Sequence, residues 1–441
     1  MRNEGSAKHL KHREHRGAQG PSSLLLRRDS PCPLWCNLLR SFVFTSALAM
    51  LACGPSDIPA SQMGVSDSAG VRITTITASP ESLPVWTLET EPVRVFTGAE
   101  TGDETAFAVI GPVKFLSNGS LVIGDVASAR LIIYDAQGKF VRFHGRRGDG
   151  PGEMRRLESI MAKPGDTLTT FDPGLRRLSF WHPDTGFLRG VNLADDGSLE
   201  SFPMDAWSWR DSLVVVLQLS TTPQDNGPPG PGIRRWPTRV HLMLRDSSGR
   251  IETRSPAFDG MYTGLRADGD IRLPFSNRPF VAHSRDRVYF GTGGAFIVTS
   301  LDSSFHVAGI IRWPAKEERL TSAEVDSVRA EAIALISRRP LPPNPFAMNF
   351  APEILPEFRP SIGRVLVDRE NIWLERFEAM RMGAVQKPGN QWTILRDDGL
   401  PVAMLRLPNH TRLEDVRGDE VAVIRRDSLD VQTVAVYRLK R

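Results

Sequence analysis

The sequence predicts an all-β chain folded as a closed ring of small antiparallel sheets, on three observations. One phrase occurs twice, as Val93-Arg94-Val95-Phe96-Thr97-Gly98 and as Val141-Arg142-Phe143-His144-Gly145, each running into a loop with Gly and Asp. One set of short strands joined by tight turns fills the interval, and β-patterning repeated at this size marks a radial or solenoidal array. The C-terminal region supplies only three strands, one short of a set. The first copy of the phrase has no strands of its own ahead of it and can supply the missing one. Pairing the two ends closes the ring and removes two free sheet edges. The count is then six blades of four antiparallel strands, a six-bladed β-propeller.

Taken in chain order, residues 1–53 read as an N-terminal extension and an export signal. Arg40 precedes the apolar run Phe42–Ala52, which is too short to span a bilayer. A basic flank, a short apolar core and small residues before a cut mark a secretory signal peptide. The run ends in Met50-Leu51-Ala52-Cys53-Gly54, which resembles the lipobox of bacterial lipoproteins, with Met50 where Leu is usual. That resemblance implies cleavage before Cys53 and lipid attachment at Cys53. Several acyl chains, at about 0.8 kcal/mol per buried CH₂, anchor firmly to a membrane. Residues 54–83 are rich in Pro, Ser, Asp and Ala and read as a flexible tether, leaving 84–441 as the propeller.

The first complete blade has strands at Pro112–Leu116, Leu121–Gly124, Arg130–Tyr134 and Lys139–His144. Ser117-Asn118-Gly119 is one of its turns, because Asn-Gly accepts the two positive φ values of a type I′ hairpin. The second blade spans Ser159–Leu193, turning at Pro164-Gly165-Asp166 and Pro183–Gly186. The third runs from Leu199 to about Ala257, with an outer turn at Asp246–Gly249. The fourth runs from Pro279 to about Trp313, and its outer turn Asp302-Ser303-Ser304-Phe305 lacks the usual Gly. The fifth runs from Ser361 to about Leu407. The sixth has strands at Leu413–Val416, Val421–Ile424 and Val431–Leu439, and Val93–Thr97 is expected to complete it.

Two insertions enlarge the blades beyond the usual repeat length. Residues 221–237 are rich in Pro and Gly and are expected as an irregular loop. Residues 316–358 contain a helix: Thr321 can cap it, Glu324 completes a capping box, and Leu320 with Val325 suits a hydrophobic staple. Val325, Val328, Ala332 and Leu335 form one apolar stripe, expected to pack on the propeller flank or rim, and Pro340 ends the helix.

The net charge of +4 is misleading about partners. Residues 1–40 hold eight Lys and Arg against three Asp and Glu, and the rest of the chain holds 47 against 48. The body therefore lacks the concentrated basic footprint that tracking nucleic acid requires. The three cysteines, Cys32, Cys36 and Cys53, precede the body, so it contains no disulfide or thiolate metal site. A monomer is expected.

Side chains that could carry chemistry fall into two groups. The Arg146–Arg156 loop, expected to surface on one face, presents Arg146, Arg147, Asp149, Glu153 and Arg155, with Arg156 beside them. Trp207, Trp209 and Arg210 lie at the end of an inner strand, where indoles could stack on a sugar or clamp a peptide and Arg could hold a carboxylate. Together they form the candidate binding face. The alternative uses Glu158, Asp205, His283 and Glu414, near innermost strands that line the axial channel. Oxygen and imidazole ligands from different blades could hold a divalent cation there, and such a site would resemble propeller lactonases of the gluconolactonase type. No Gly-x-Ser-x-Gly elbow or His-Glu-x-x-His occurs.

Through the Gly148-Asp149-Gly150-Pro151-Gly152-Glu153 loop and its strand-turn phrases, the chain from about 93 to 440 resembles the six-bladed β-propeller lipoproteins of bacteria, related to NHL-repeat propellers. The expectation is a cell-envelope scaffold, lipid-anchored and non-catalytic, that binds a protein, peptide or glycan without a cofactor. The rival expectations are a metal-dependent lactonase or esterase and a purely structural envelope protein. Fold likeness cannot choose among them, because propellers host many activities.

Overall fold

Six antiparallel meanders follow one another along the chain. The computed structural model describes residues 62–98, 107, 109–193, 201–219, 234–266, 269–336, 350–379, 390–429 and 431–441. All lie within one unit, Asp57–Arg441. The extension and signal over 1–53, Cys53 included, lie outside the described residues.

Blade one comprises Ile110–Phe115, Leu121–Asp125, Arg130–Tyr134 and Phe140–His144. Blade two comprises Ser159–Ala162, Leu168–Asp172, Arg177–His182 and Gly186–Asn192. Second strands such as Leu121–Asp125 and Leu168–Asp172 are buried along their whole length. A neighbouring blade covers each of their faces, so a continuous apolar run replaces the alternation of a half-exposed strand.

The interblade cores count the blades. Leu131 packs with Leu168 and Trp181 between blades one and two, and Phe171 with Val215 between two and three. Val214 meets Phe290 between three and four, Tyr289 meets Ile372 between four and five, and Trp392 meets Leu413 between five and six. The last cluster, with Phe96, Ile123, Ile424 and Val434, joins blade six to blade one. The ring is therefore closed with six blades, as the sequence predicts.

The closing strand is Arg94–Phe96, paired with Val434, Ala435 and Val436. Phe96 is fully buried and meets Tyr134 edge-on at 4.7 Å. Gly98 and Gly145, the ends of the repeated phrase, both have φ +81°, so each copy turns at the one residue type free to adopt that conformation. The strand Val85–Leu88 adds a second stitch, running parallel to Met404–Leu405 of blade five and antiparallel to Leu439–Lys440 of blade six.

Three expectations need correction. The tether does not extend to residue 83: Met63–Ser68 and Val71–Ile76 form a hairpin whose second strand runs parallel to Gly309–Arg312 of blade four. Ile76, Ala78 and Leu83 are buried in the core between blades four and five. The β-branched segment Val71–Ile76 gains more by extending that outer edge than by staying solvated. Of the irregular loop expected over 221–237, residues 221–233 lie outside the described residues and 234–237 are strand: Arg234–Arg245 already pairs over Arg234–Pro237 with Tyr262–Leu265, and a bulge accommodates Pro237. Blade three also continues past Ala257, through Phe258–Arg266 to a sixth strand, Gly269–Arg272.

In the outer turn of blade four, Phe305 takes φ +62°, the position that Gly138, Gly186, Gly249 and Gly399 occupy in other blades. Asp302 Oδ1 accepts the N–H groups of Ser304 and His306, and burial of the Phe305 ring offsets the backbone strain.

The helix spans Ser322–Ile336. The Glu324 N–H donates to Thr321 Oγ1 at 3.3 Å and the Thr321 N–H to Glu324 Oε2 at 3.1 Å, so the capping box forms. Val325, Val328 and Ala332 pack on Phe275, Phe350 and Phe377. The side chain of Leu335, and Pro340, lie outside the described residues.

Connectivity gives the ring two unlike faces. The first-to-second and third-to-fourth strand turns share one face and are short. Second-to-third and blade-to-blade connections share the other, which carries both insertions.

Candidate functional site

The eight residues predicted as one binding face do not form one. The Gly145–Glu158 loop is a blade-to-blade connection on the insertion face. Arg210 sits in a first-to-second strand turn on the opposite face. Trp207 and Trp209 are 1% and 3% exposed, inside the core between blades three and four. Trp209 Nε1 donates to the Ser284 carbonyl at 2.9 Å, and Trp207 stacks on His283 with centroids 5.5 Å apart. Interblade packing uses both indoles, because a large flat ring fills the wedge between twisted sheets. Arg210 lies over Trp209 and pairs with Asp286 at 3.3 Å.

The Gly145–Glu158 loop is exposed but largely paired within itself. Arg146–Arg147 runs parallel to Glu153–Met154. Glu153 accepts the Gly150 N–H at 2.8 Å and pairs with Arg146 at 2.6 Å, which lowers its pKa, the backbone bond foremost. Gly148, at φ +151°, leaves the space that the Glu153 carboxylate fills. Asp149 pairs with Arg155, whose hydrogen bond holds the carboxyl below its ordinary range. Arg147 Nη2 donates to the Ala127 carbonyl at 2.6 Å.

The four predicted channel groups do not converge either. Glu158 pairs with Arg156 at 2.8 Å. Asp205 accepts a hydrogen bond from Ser159 Oγ at 2.7 Å, and burial pushes its pKa up to about 6 against that bond. Burial pushes His283 down to about 4, and the charge of Lys114 adds to the effect. Glu414 is held by Arg412 at 2.5 Å and Arg364 at 3.6 Å. Among the described residues no three His, Cys, Asp or Glu side chains gather closely enough to hold a metal ion. Each of these groups is matched to a neighbour on its own or an adjacent blade instead.

Sequence reasoning missed a cleft of about 320 Å³ on the insertion face. Its lining includes Arg235 and Tyr262 from the extended blade-three hairpin, Asn277 from the next connection, and Glu317, Pro356 and Phe358 from the helical insertion. Buried Asn277 braces it: Nδ2 donates to the carbonyls of Gly260 at 2.9 Å and Thr292 at 2.8 Å, and Oδ1 accepts the Tyr262 N–H at 3.0 Å. The Arg235 guanidinium lies 4.0 Å from the Tyr262 ring centroid. Its Nε is enclosed without a hydrogen-bond partner, and burial lowers its pKa. Two of the lining acids are engaged elsewhere, Asp259 with Arg239 and Glu357 with Arg319 at 2.6 Å. The available signal was the 316–358 insertion, while Arg235 reaches the cleft only through long-range pairing of Arg234–Pro237 with Tyr262–Leu265.

Residues 95–203 match the model of a family described as a 6-bladed beta-propeller. No curated protein sequence matches the chain. Similar solved structures include a DUF4221 family member from Bacteroides vulgatus, 9% identical, covering 81% of this chain and 96% of that one with a TM-score of 0.44. The calcium-binding protein regucalcin from Agrobacterium tumefaciens is 12% identical, covering 80% and 96% with a TM-score of 0.39. By its own strand order, its six interblade cores and the family match, the chain is a six-bladed β-propeller.

Proposed function

We propose that this propeller is an exported, lipid-anchored binding protein of the cell envelope that takes a protein, peptide or glycan on its insertion face and catalyses nothing. The carrying observation is the Arg235–Tyr262–Phe358 cleft, which the extended blade-three hairpin and the helical insertion line together on one face. Recognition concentrates in loops held by a rigid scaffold, and a concave site with a few fixed polar groups is their usual form. The apolar run before Cys53 supports export, and the lipobox resemblance supports the anchor.

The test places a photo-crosslinking amino acid at position 358 or at position 211 on the opposite face, in cells making the full chain. Discrete adducts from position 358 and none from 211 are expected. Equal crosslinking from both positions, or none from 358, overturns the reading. The anchor is tested separately: palmitate incorporation is expected to disappear in Cys53→Ala, and retained label excludes that attachment site.

A further inference from the structure

We infer that the Arg235 cleft captures a carboxylate, and specifically the C-terminal carboxylate of a peptide ending in an apolar residue. This rests on the binding role proposed above and names its ligand chemistry. Arg235 is half-buried, and among the described residues no carboxylate pairs with it. A desolvated guanidinium is costly unless an anion compensates it. Here two of the acids in the lining, Asp259 and Glu357, are spent on Arg239 and Arg319. Tyr262 fixes the plane of the guanidinium from one side, so the fork is oriented before a ligand arrives. A planar fork matches a carboxylate through two parallel N–H···O bonds.

The rest of the cleft selects what accompanies the anion. Phe358, 40% exposed, stands with Pro356 and Pro360 as an apolar wall. The volume lies at the small end of ligand sites, enough for one terminal residue rather than a long segment. Exposed Glu317 at the rim adds negative charge and disfavours a polyanion. A single carboxylate next to an apolar side chain satisfies all three conditions.

The test titrates the purified full chain with N-acetyl-Ala-Phe as its free acid and as its C-terminal amide, followed by calorimetry. The acid is expected to bind, and the amide about tenfold or more weakly, the scale of a lost charge-assisted hydrogen bond. Arg235→Gln is expected to lose the acid by a similar factor, Arg235→Lys to retain part of the affinity, and Arg146→Gln to match the unsubstituted chain. Equal binding of acid and amide, unchanged affinity in Arg235→Gln, or no binding at about 10 mM, below the useful range of a specific site, overturns the inference. Tighter binding of methyl glucuronide than of the peptide acid overturns the peptide assignment. If position 358 still forms its cellular adducts in Arg235→Gln, carboxylate capture fails while the binding face stands. Loss of adducts from the otherwise unsubstituted chain would count against the face itself.

Discussion

The ring seam and the Arg235 cleft are both built by segments that come together from distant parts of the chain, and they treat polar groups in opposite ways. At the seam, Asp415 accepts from Lys114 Nζ at 2.7 Å and from the Phe115 N–H at 2.9 Å. Gln432 accepts the Ile110 N–H at 3.0 Å, and Arg94 donates to Glu420 at 3.2 Å and to the Ala136 carbonyl at 2.7 Å. In the cleft the Arg235 guanidinium lies on an aromatic ring and, among the described residues, makes no ion pair. The seam directs its polar groups inward, to hold blade six on blade one. The cleft leaves the Arg235 guanidinium without an ion pair among the described residues, so that side chain should contribute little to folding and much to recognition.

The largest effect should come from the seam. Phe96 is completely buried between the first and last blades. Phe96→Ala removes a ring from a site that backbone pairing prevents from collapsing, and should cost about 3–5 kcal/mol in denaturant unfolding. A loss below about 1 kcal/mol, the level of surface substitutions, would show that this strand does not hold the circle shut and would remove one side of the comparison.

The axial groups sharpen the same contrast through pH. Asp205 titrates near 6 in the folded chain against 3.8 as a free side chain, so its stability contribution falls as pH rises from about 4 to 6. His283 titrates near 4 against 6.5, so its contribution rises with pH over about 4 to 6.5. Each shift corresponds to about 3 kcal/mol, and the two slopes oppose each other in one window. Asp205→Asn should therefore make stability climb with pH between 4 and 6.5, and His283→Asn should make it decline between 4 and 6, relative to the parent curve. Parallel curves for all three proteins would show that neither group sits in the desolvated setting described.

These contrasts also mark what the sequence could and could not disclose. The repeated phrase, the Asn-Gly and Asp-containing turns and the missing fourth strand are local signals, and they were sufficient for six blades and for the closing strand at Arg94–Phe96. The capping box at Thr321 was readable for the same reason. The site was not. Trp207 and Trp209 read as ligand-stacking rings because a sequence does not say whether another blade covers them. Asp149 and Arg155 read as available charges because a loop's internal pairing depends on its folded path. Arg235 falls in the stretch expected as an irregular loop, although among the described residues it makes no ion pair, unlike Arg146 and Arg155 of the Gly145–Glu158 loop.

That last distinction gives the smallest expected effect. Arg155→Ala removes an exposed partner of Asp149, and Arg235→Gln removes a cation that makes no ion pair among the described residues. Neither should lower the denaturation midpoint measurably. Arg235→Gln should leave it unchanged or raise it slightly, because a neutral amide relieves the desolvation of an unmatched charge. A loss of about 1 kcal/mol or more in Arg235→Gln, comparable to breaking a satisfied hydrogen bond, would mean that the guanidinium serves the fold as the seam residues do. The cleft would then be an extension of the scaffold, and its arginine would have nothing left to offer a ligand.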